Sequence, residues 1–166
     1  SSGSAALAAD ARSAATGDIP DNQNFLTFSD MHLGVTMLYP EGWAVKSTAT
    51  GVTFQEKNNL VRIAVSHGPA PTVAALTTQL AELKRANPAM TTSAPRIVAL
   101  KSGPAVKATY TTESAPNPVT GKRVTLTVDR YELSHAGRLA ILDVGTPVGV
   151  DNVDAYKRMA ESFKWL

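Results

Sequence analysis

Val73, Leu76, Leu80 and Leu83 stand three, four and three residues apart, and Val153, Tyr156, Ala160 and Phe163 repeat that spacing near the end of the chain. Such spacing lays one narrow apolar stripe along a helix. A helix with a single stripe must bury it on another layer, so the rest of the chain has to supply one. The helix ends are marked as well. Thr72 is placed to cap the first by accepting an orphan backbone N–H, and Asn87-Pro88 stops it. Asp151 opens the second, with Asp154 in a first turn where the helix dipole favours negative charge. Lys157, Arg158, Glu161 and Lys164 fall on the wet side of that helix.

The missing layer is written in strands. Residues 24–29 and 35–39 read as two strands around a turn at 30–34, and Pro40-Glu41-Gly42 is a further turn signal leading into 43–47. Residues 52–56 and 60–66 flank Lys57-Asn58-Asn59 as a hairpin. Val61, Ile63 and Val65 alternate with Arg62, Ala64 and Ser66, the period of a strand with one buried face. After the first helix, strands resume at 97–101, 105–113, 123–133 and 139–144. The expected class is α+β: an antiparallel β-sheet flanked by helices, with both stripes packed on that sheet.

At 166 residues the chain has the length of one domain, enough to bury about two-thirds of its unfolded surface. Residues 1–22 have a different texture, with hardly any large apolar side chain. Such a segment cannot offset the entropy of ordering it. We therefore expect a flexible leader or tether over 1–22 and a single domain over 23–166. The alanines between residues 5 and 15 also suit a helix.

Several function classes are excluded by composition and motif. There is no cysteine, which removes disulfides, thiolate metal sites, Fe–S clusters and a cysteine nucleophile. Net charge is +2, and no basic run exceeds Lys84-Arg85 or Lys122-Arg123. Nucleic-acid binders gather such residues on one face, so no nucleic-acid partner is expected. No apolar run approaches the roughly 18 residues of a membrane span, and no secretory signal opens the sequence. The glycines never form a phosphate-cradling loop, and neither G-x-S-x-G nor S-x-x-K occurs. No cofactor and no catalytic residue is expected, and the chain reads as a non-enzyme.

Few residues are left to carry a site. Asp30 and His32 stand two apart and would share a face on a strand. Zinc needs three or four ligands, so the expected role is in a hairpin turn, with metal binding as the alternative. Ser134 and His135 are adjacent, but a catalytic pair must meet through its side chains and be oriented by a third group. The charges worth attention are Asp129, Arg130, Arg138 and Asp143. Val124, Leu126 and Val128 point one way, which sets Arg130 on an apolar face where its charge needs a partner. If Ala136-Gly137 is a two-residue turn, residues whose numbers sum to 273 lie opposite one another and Arg130 faces Asp143. A three-residue loop would set Arg130 opposite Leu142 instead. The expected role is a structural cross-strand ion pair. The alternative is a ligand or partner site built from Arg130, Asp143, Asp129 and Arg138, since guanidinium groups also suit recognition. Trp43 and Trp165, the latter at the end of the last helix, are expected to be core anchors.

Three segments together resemble a known family. Tyr39-Pro40-Glu41-Gly42-Trp43 is similar to the turn after the first hairpin of PsbP-like domains. Val128-Asp129-Arg130-Tyr131-Glu132, followed by His135-Ala136-Gly137-Arg138-Leu139-Ala140, resembles the long C-terminal hairpin of bacterial PsbP-like lipoproteins. Asp151-Asn152-Val153-Asp154-Ala155-Tyr156 and Ser162-Phe163-Lys164-Trp165 resemble their closing helix. The resemblance spans residues 24–166 and implies an α/β/α sandwich. It also implies a non-catalytic, extracytoplasmic module attached to the cell membrane by a lipidated N-terminal cysteine that this sequence lacks. Family members of understood role bind proteins: the chloroplast protein docks on photosystem II, and a nuclear relative binds a small GTPase. The expected partner is thus a protein in or at the membrane. The alternative is a carrier of a small ligand or metal ion in a pocket between sheet and helix.

Overall fold

A computed structural model of the chain describes residues 17–166. The elements in order are β1 (Phe25–Asp30), β2 (Val35–Pro40), β3 (Ala44–Ser47), β4 (Gly51–Glu56), β5 (Asn59–His67), α1 (Val73–Ala86), β6 (Arg96–Leu100), β7 (Gly103–Glu113), β8 (Thr125–His135), β9 (Arg138–Pro147), α2 (Val153–Ser162) and β10 (Lys164–Trp165). The class is α+β, as expected, but the strands form two sheets rather than one. A seven-stranded sheet runs β3-β4-β5-β9-β8-β7-β6, and a three-stranded sheet runs β1-β2-β10. Every pairing is antiparallel. The second sheet exists because the chain leaves α2 and pairs Lys164 with Thr36 and Trp165 with Val35. Trp165 therefore belongs to a strand, not to the end of the helix.

The two helices lie on opposite faces of the large sheet. Alternation along β8 makes this plain, because successive side chains point to opposite sides. Leu126 and Val128 join Leu76 and Leu80 of α1 in a small core with Met90, Val106, Ala108 and Tyr110. Leu133 joins the main core on the other side, where α2 and the three-stranded sheet close over Val52, Phe54, Val61, Ile63, Leu142 and Val144. Phe28 meets the Phe54 ring edge-on at 5.4 Å, and Tyr39 stacks on it at 5.0 Å. Trp43 is buried in this core with its ring edge-on to Tyr156.

α1 begins where Thr72 Oγ1 accepts the Ala75 N–H at 3.0 Å, and it ends where the Asn87 N–H turns back to Leu83 and Lys84. Only the middle of its stripe is buried: Leu76 and Leu80 are inside, while Val73 and Leu83 stay exposed. In α2 the buried residues are Tyr156, Met159 and Ala160, with Phe163 just past the helix. Met159 replaces Val153, which is 71% exposed. The N-cap position is Asn152 rather than Asp151, and Asn152 makes no side-chain cap bond. Its amide is engaged elsewhere.

That engagement ties down the start of the described chain. Asn152 Nδ2 donates to Asn59 Oδ1 (2.9 Å), and Asn59 Nδ2 donates to the Gly17 carbonyl (2.6 Å). The Ile19 N–H donates to Asn152 Oδ1, and the Asp151 N–H to Asp18 Oδ1. Both asparagines are buried, so each needs these bonds. Residues 17–22, drawn in the leader on composition, include this clasp on the folded domain; the rest of the expected leader, with its alanine run, lies outside the described residues.

The β8–β9 hairpin fixes the register of the polar residues. Its turn is Ala136-Gly137, with φ of 51° and 77°, the two-residue geometry that suits strand twist. Arg130 consequently lies opposite Asp143.

Candidate functional groove

Because α1 covers one side of β7 and β8, the other side of those strands is left to α2 alone. α2 does not reach across it, and an open groove of about 560 Å³ remains between helix and sheet. Its floor is Val98 and Leu100 from β6, Lys107 from β7, and Thr127, Asp129 and Tyr131 from β8. Its other wall is Val148 and the α2 residues Val153, Lys157 and Glu161. Val148 is 67% exposed, so the groove presents apolar side chains to solvent at both Val148 and Val153.

The acids in the groove are already engaged. Asp129 Oδ1 accepts the Thr109 hydroxyl at 2.6 Å, and its other oxygen stands 4.0 Å from Lys107 Nζ. Lys107 also lies over the Tyr131 ring at 5.2 Å. Glu161 Oε2 accepts the Lys101 backbone N–H at 3.2 Å. At the deep end, the buried Tyr156 hydroxyl donates to the Gly145 carbonyl at 2.7 Å. Burial raises its pKa, opposed by Thr146 and Asn152, so it stays a neutral donor.

The four charged residues singled out from the sequence fall in three places. Asp129 lines the groove. Arg130 and Asp143 lie on the opposite face, beside α1, where Arg130 Nε and Nη2 donate to the two Asp143 oxygens at 2.8 and 2.9 Å. Asp143 is 5% exposed and also receives Arg62 Nη2 at 3.2 Å. Burial pulls the Arg130 pKa down, but the hydrogen bond and charge of Asp143 outweigh it and raise the pKa. The bidentate, charge-assisted geometry makes this a strong pair. Arg138 sits apart, near the end of the sheet. Its guanidinium lies 4.8 Å from the Trp165 ring centre and donates to the carbonyls of Gly34 and Leu166.

Asp30 acts in the β1–β2 turn, where Oδ1 accepts the backbone N–H groups of His32 and Leu33 at 2.8 and 2.9 Å. Among the described residues no three His, Asp or Glu groups converge as metal ligands. Asp151 Oδ1 accepts the Val153 N–H at 3.1 Å. The groove residues Lys107, Val148 and Lys157 carried no motif. The legible clue was Thr127-x-Asp129-x-Tyr131, a half-polar edge on a strand whose other face is apolar.

No protein-family model and no curated protein matches the sequence. Solved structures do share the fold. Cyanobacterial PsbP (CyanoP) from Synechocystis sp. PCC 6803 is 16% identical with a TM-score of 0.58, covering 90% of this chain and 98% of that one. The Saccharomyces cerevisiae Ran-binding protein Mog1p is 10% identical with a TM-score of 0.51, covering 86% of this chain and 95% of that one. A Bacteroides thetaiotaomicron protein is 13% identical with a TM-score of 0.54; the match covers 84% of this chain but only 48% of that protein, about half its length. The fold is PsbP-like.

Proposed function

We propose that this chain is a non-catalytic binding or assembly module that engages a protein partner through the groove between α2 and the seven-stranded sheet. It acts outside the cytoplasm, as a lipoprotein domain tethered to the membrane through the part of the leader ahead of the clasp at Gly17–Ile19, and docks on a membrane protein complex. The observation that carries this reading is the open groove with its solvent-facing Val148 and Val153. Exposed apolar groups in a concave surface rimmed by charge are the usual marks of an interaction site. One protein of the same fold, Mog1p, is Ran-binding, so the architecture is compatible with protein recognition.

The test is site-specific photocrosslinking in membrane extract. A crosslinker at Val153 should give a discrete protein adduct that Val148→Asp abolishes. Val119, which is 91% exposed on the loop between β7 and β8 and does not line the groove, serves as the control position. Identical adducts from Val119 and Val153 would refute the groove as the site.

A second reading is supported by the groove's size, since about 300–1,000 Å³ is the range of small-molecule sites. In that case the chain is a carrier. Native mass spectrometry of protein purified from its host would then find a retained small molecule, displaced in Val153→Trp.

A further inference from the structure

β6 ends the seven-stranded sheet, and among the described residues its outer backbone edge pairs with nothing. The sheet's other end strand, β3, is protected: it has four residues, one of them Lys46. Short length and an edge lysine are the common devices against unwanted pairing. β6 is one residue longer and begins with Arg96, but the rest of it, Ile97-Val98-Ala99-Leu100, carries no charge. Ile97 is 60% exposed. An apolar edge of this kind can pair with another extended chain. Val98 and Leu100 of the same strand also form the groove floor.

The charges around the edge say which chain would fit. Arg96 lies directly opposite Lys107 in the β6–β7 register, and residues so paired share a face and repel when like-charged. Lys157 adds a third cation on the facing helix. The acids nearby, Asp129 and Glu161, are taken up by Thr109, Lys107 and the Lys101 amide. Lys107 is thus spent on Asp129, while among the described residues Arg96 and Lys157 form no ion pair. Two copies of β6 pairing antiparallel would bring Arg96 of each toward Lys101 of the other, which opposes a homodimer by the same repulsion.

We infer that β6 and the adjoining groove form a strand-addition site for an extended segment of another protein, apolar at alternate positions and flanked by acidic residues. The added strand hydrogen-bonds to the outer edge of β6. Every second side chain enters the groove beside Val98, Val148 and Val153, and the acidic flanks meet Arg96 and Lys157. This rests on the reading of the groove as a protein-binding site and names its partner class.

The test uses the whole chain and a short synthetic peptide alternating valine and threonine between pairs of glutamates. Controls are the same peptide with lysine flanks and a copy N-methylated on alternate amides. By fluorescence anisotropy the glutamate peptide should bind about tenfold or more tighter than the lysine peptide. The N-methylated copy should fail to bind. Bound peptide should slow hydrogen exchange in residues 96–100. Ala99→Lys, at an exposed edge position, should weaken binding about tenfold or more while leaving the circular dichroism spectrum unchanged. Equal affinity for both flanks, unchanged exchange in β6, or self-association through β6 without peptide would each overturn the inference. If Ala99→Lys leaves the Val153 crosslink intact, strand addition fails while the groove reading survives.

Discussion

On the α1 face of the seven-stranded sheet Arg130 and Asp143 are largely buried and bonded to each other, whereas on the α2 face Asp129, Lys107, Lys157 and Glu161 line an open groove. The two faces share strands, and β8 alternates between them residue by residue. Arg130 and Glu132 project to one side, Asp129 and Tyr131 to the other. The difference comes from cover. Where α1 and its neighbours exclude water, an ionised group persists only with a partner. Where α2 leaves the sheet open, water solvates what the protein does not pair. Structural charge and recognition charge can thus lie on neighbouring residues of one strand.

This contrast can be broken most forcefully at Arg130. Arg130→Met removes the bidentate partner of a buried carboxylate and should cost about 3–5 kcal/mol of stability in urea denaturation. Combining it with Asp143→Leu should recover most of that loss, because the unpaired acid is gone as well. If the single change is neutral, the pair is not structural and the distinction between the faces fails. A packing test on the same face comes next. Leu80→Ala should cost about 2–5 kcal/mol, whereas Leu83→Ala, on the exposed end of the same stripe, should cost well under 1 kcal/mol.

Glu132 sharpens the comparison through pH. It is 2% exposed, and its Oε2 has no hydrogen-bond partner. Burial raises its pKa, Arg130 opposes the rise and Asp143 adds to it. The folded chain therefore holds this proton more tightly than the unfolded chain. The stability this contributes is complete below the unfolded value near 4.5 and is lost as pH rises through the higher folded value. Glu132→Gln should flatten that slope and raise stability at neutral pH, by about 1–3 kcal/mol at most. Denaturation midpoints at pH 5 and pH 8 check it, and a pH dependence equal to that of the parent chain would show that another group is responsible. The smallest effect belongs to the groove. Val148→Asp, at a position 67% exposed, should change stability by no more than about 0.5 kcal/mol while abolishing the crosslink from Val153.

Much of the fold was legible residue by residue. The strand positions, the Thr72 cap and the two-residue turn at Ala136-Gly137 depend on neighbours in sequence, and the Arg130–Asp143 register followed by counting from that turn. The α2 stripe was read with Val153 inside and Met159 unmentioned, since both choices leave an amphipathic helix and only the neighbouring sheet selects between them. The clasp of Gly17 and Ile19 by Asn59 and Asn152 was hidden because amides far apart in sequence carry no pattern that links them. Of the candidate residues, Asp129 reached the groove and Arg130, Asp143 and Arg138 did not. Side-chain alternation could separate Asp129 from Arg130, but it could not say which face stays open.

From the sequence alone come the elements, their caps and the hairpin register, because these are set by interactions among residues close along the chain. The pairing of β10 with β2, the split into two sheets, the rotation of α2 and the groove beside it were decided only in the folded molecule. Each depends on contacts between distant segments, and on which surfaces those contacts leave uncovered.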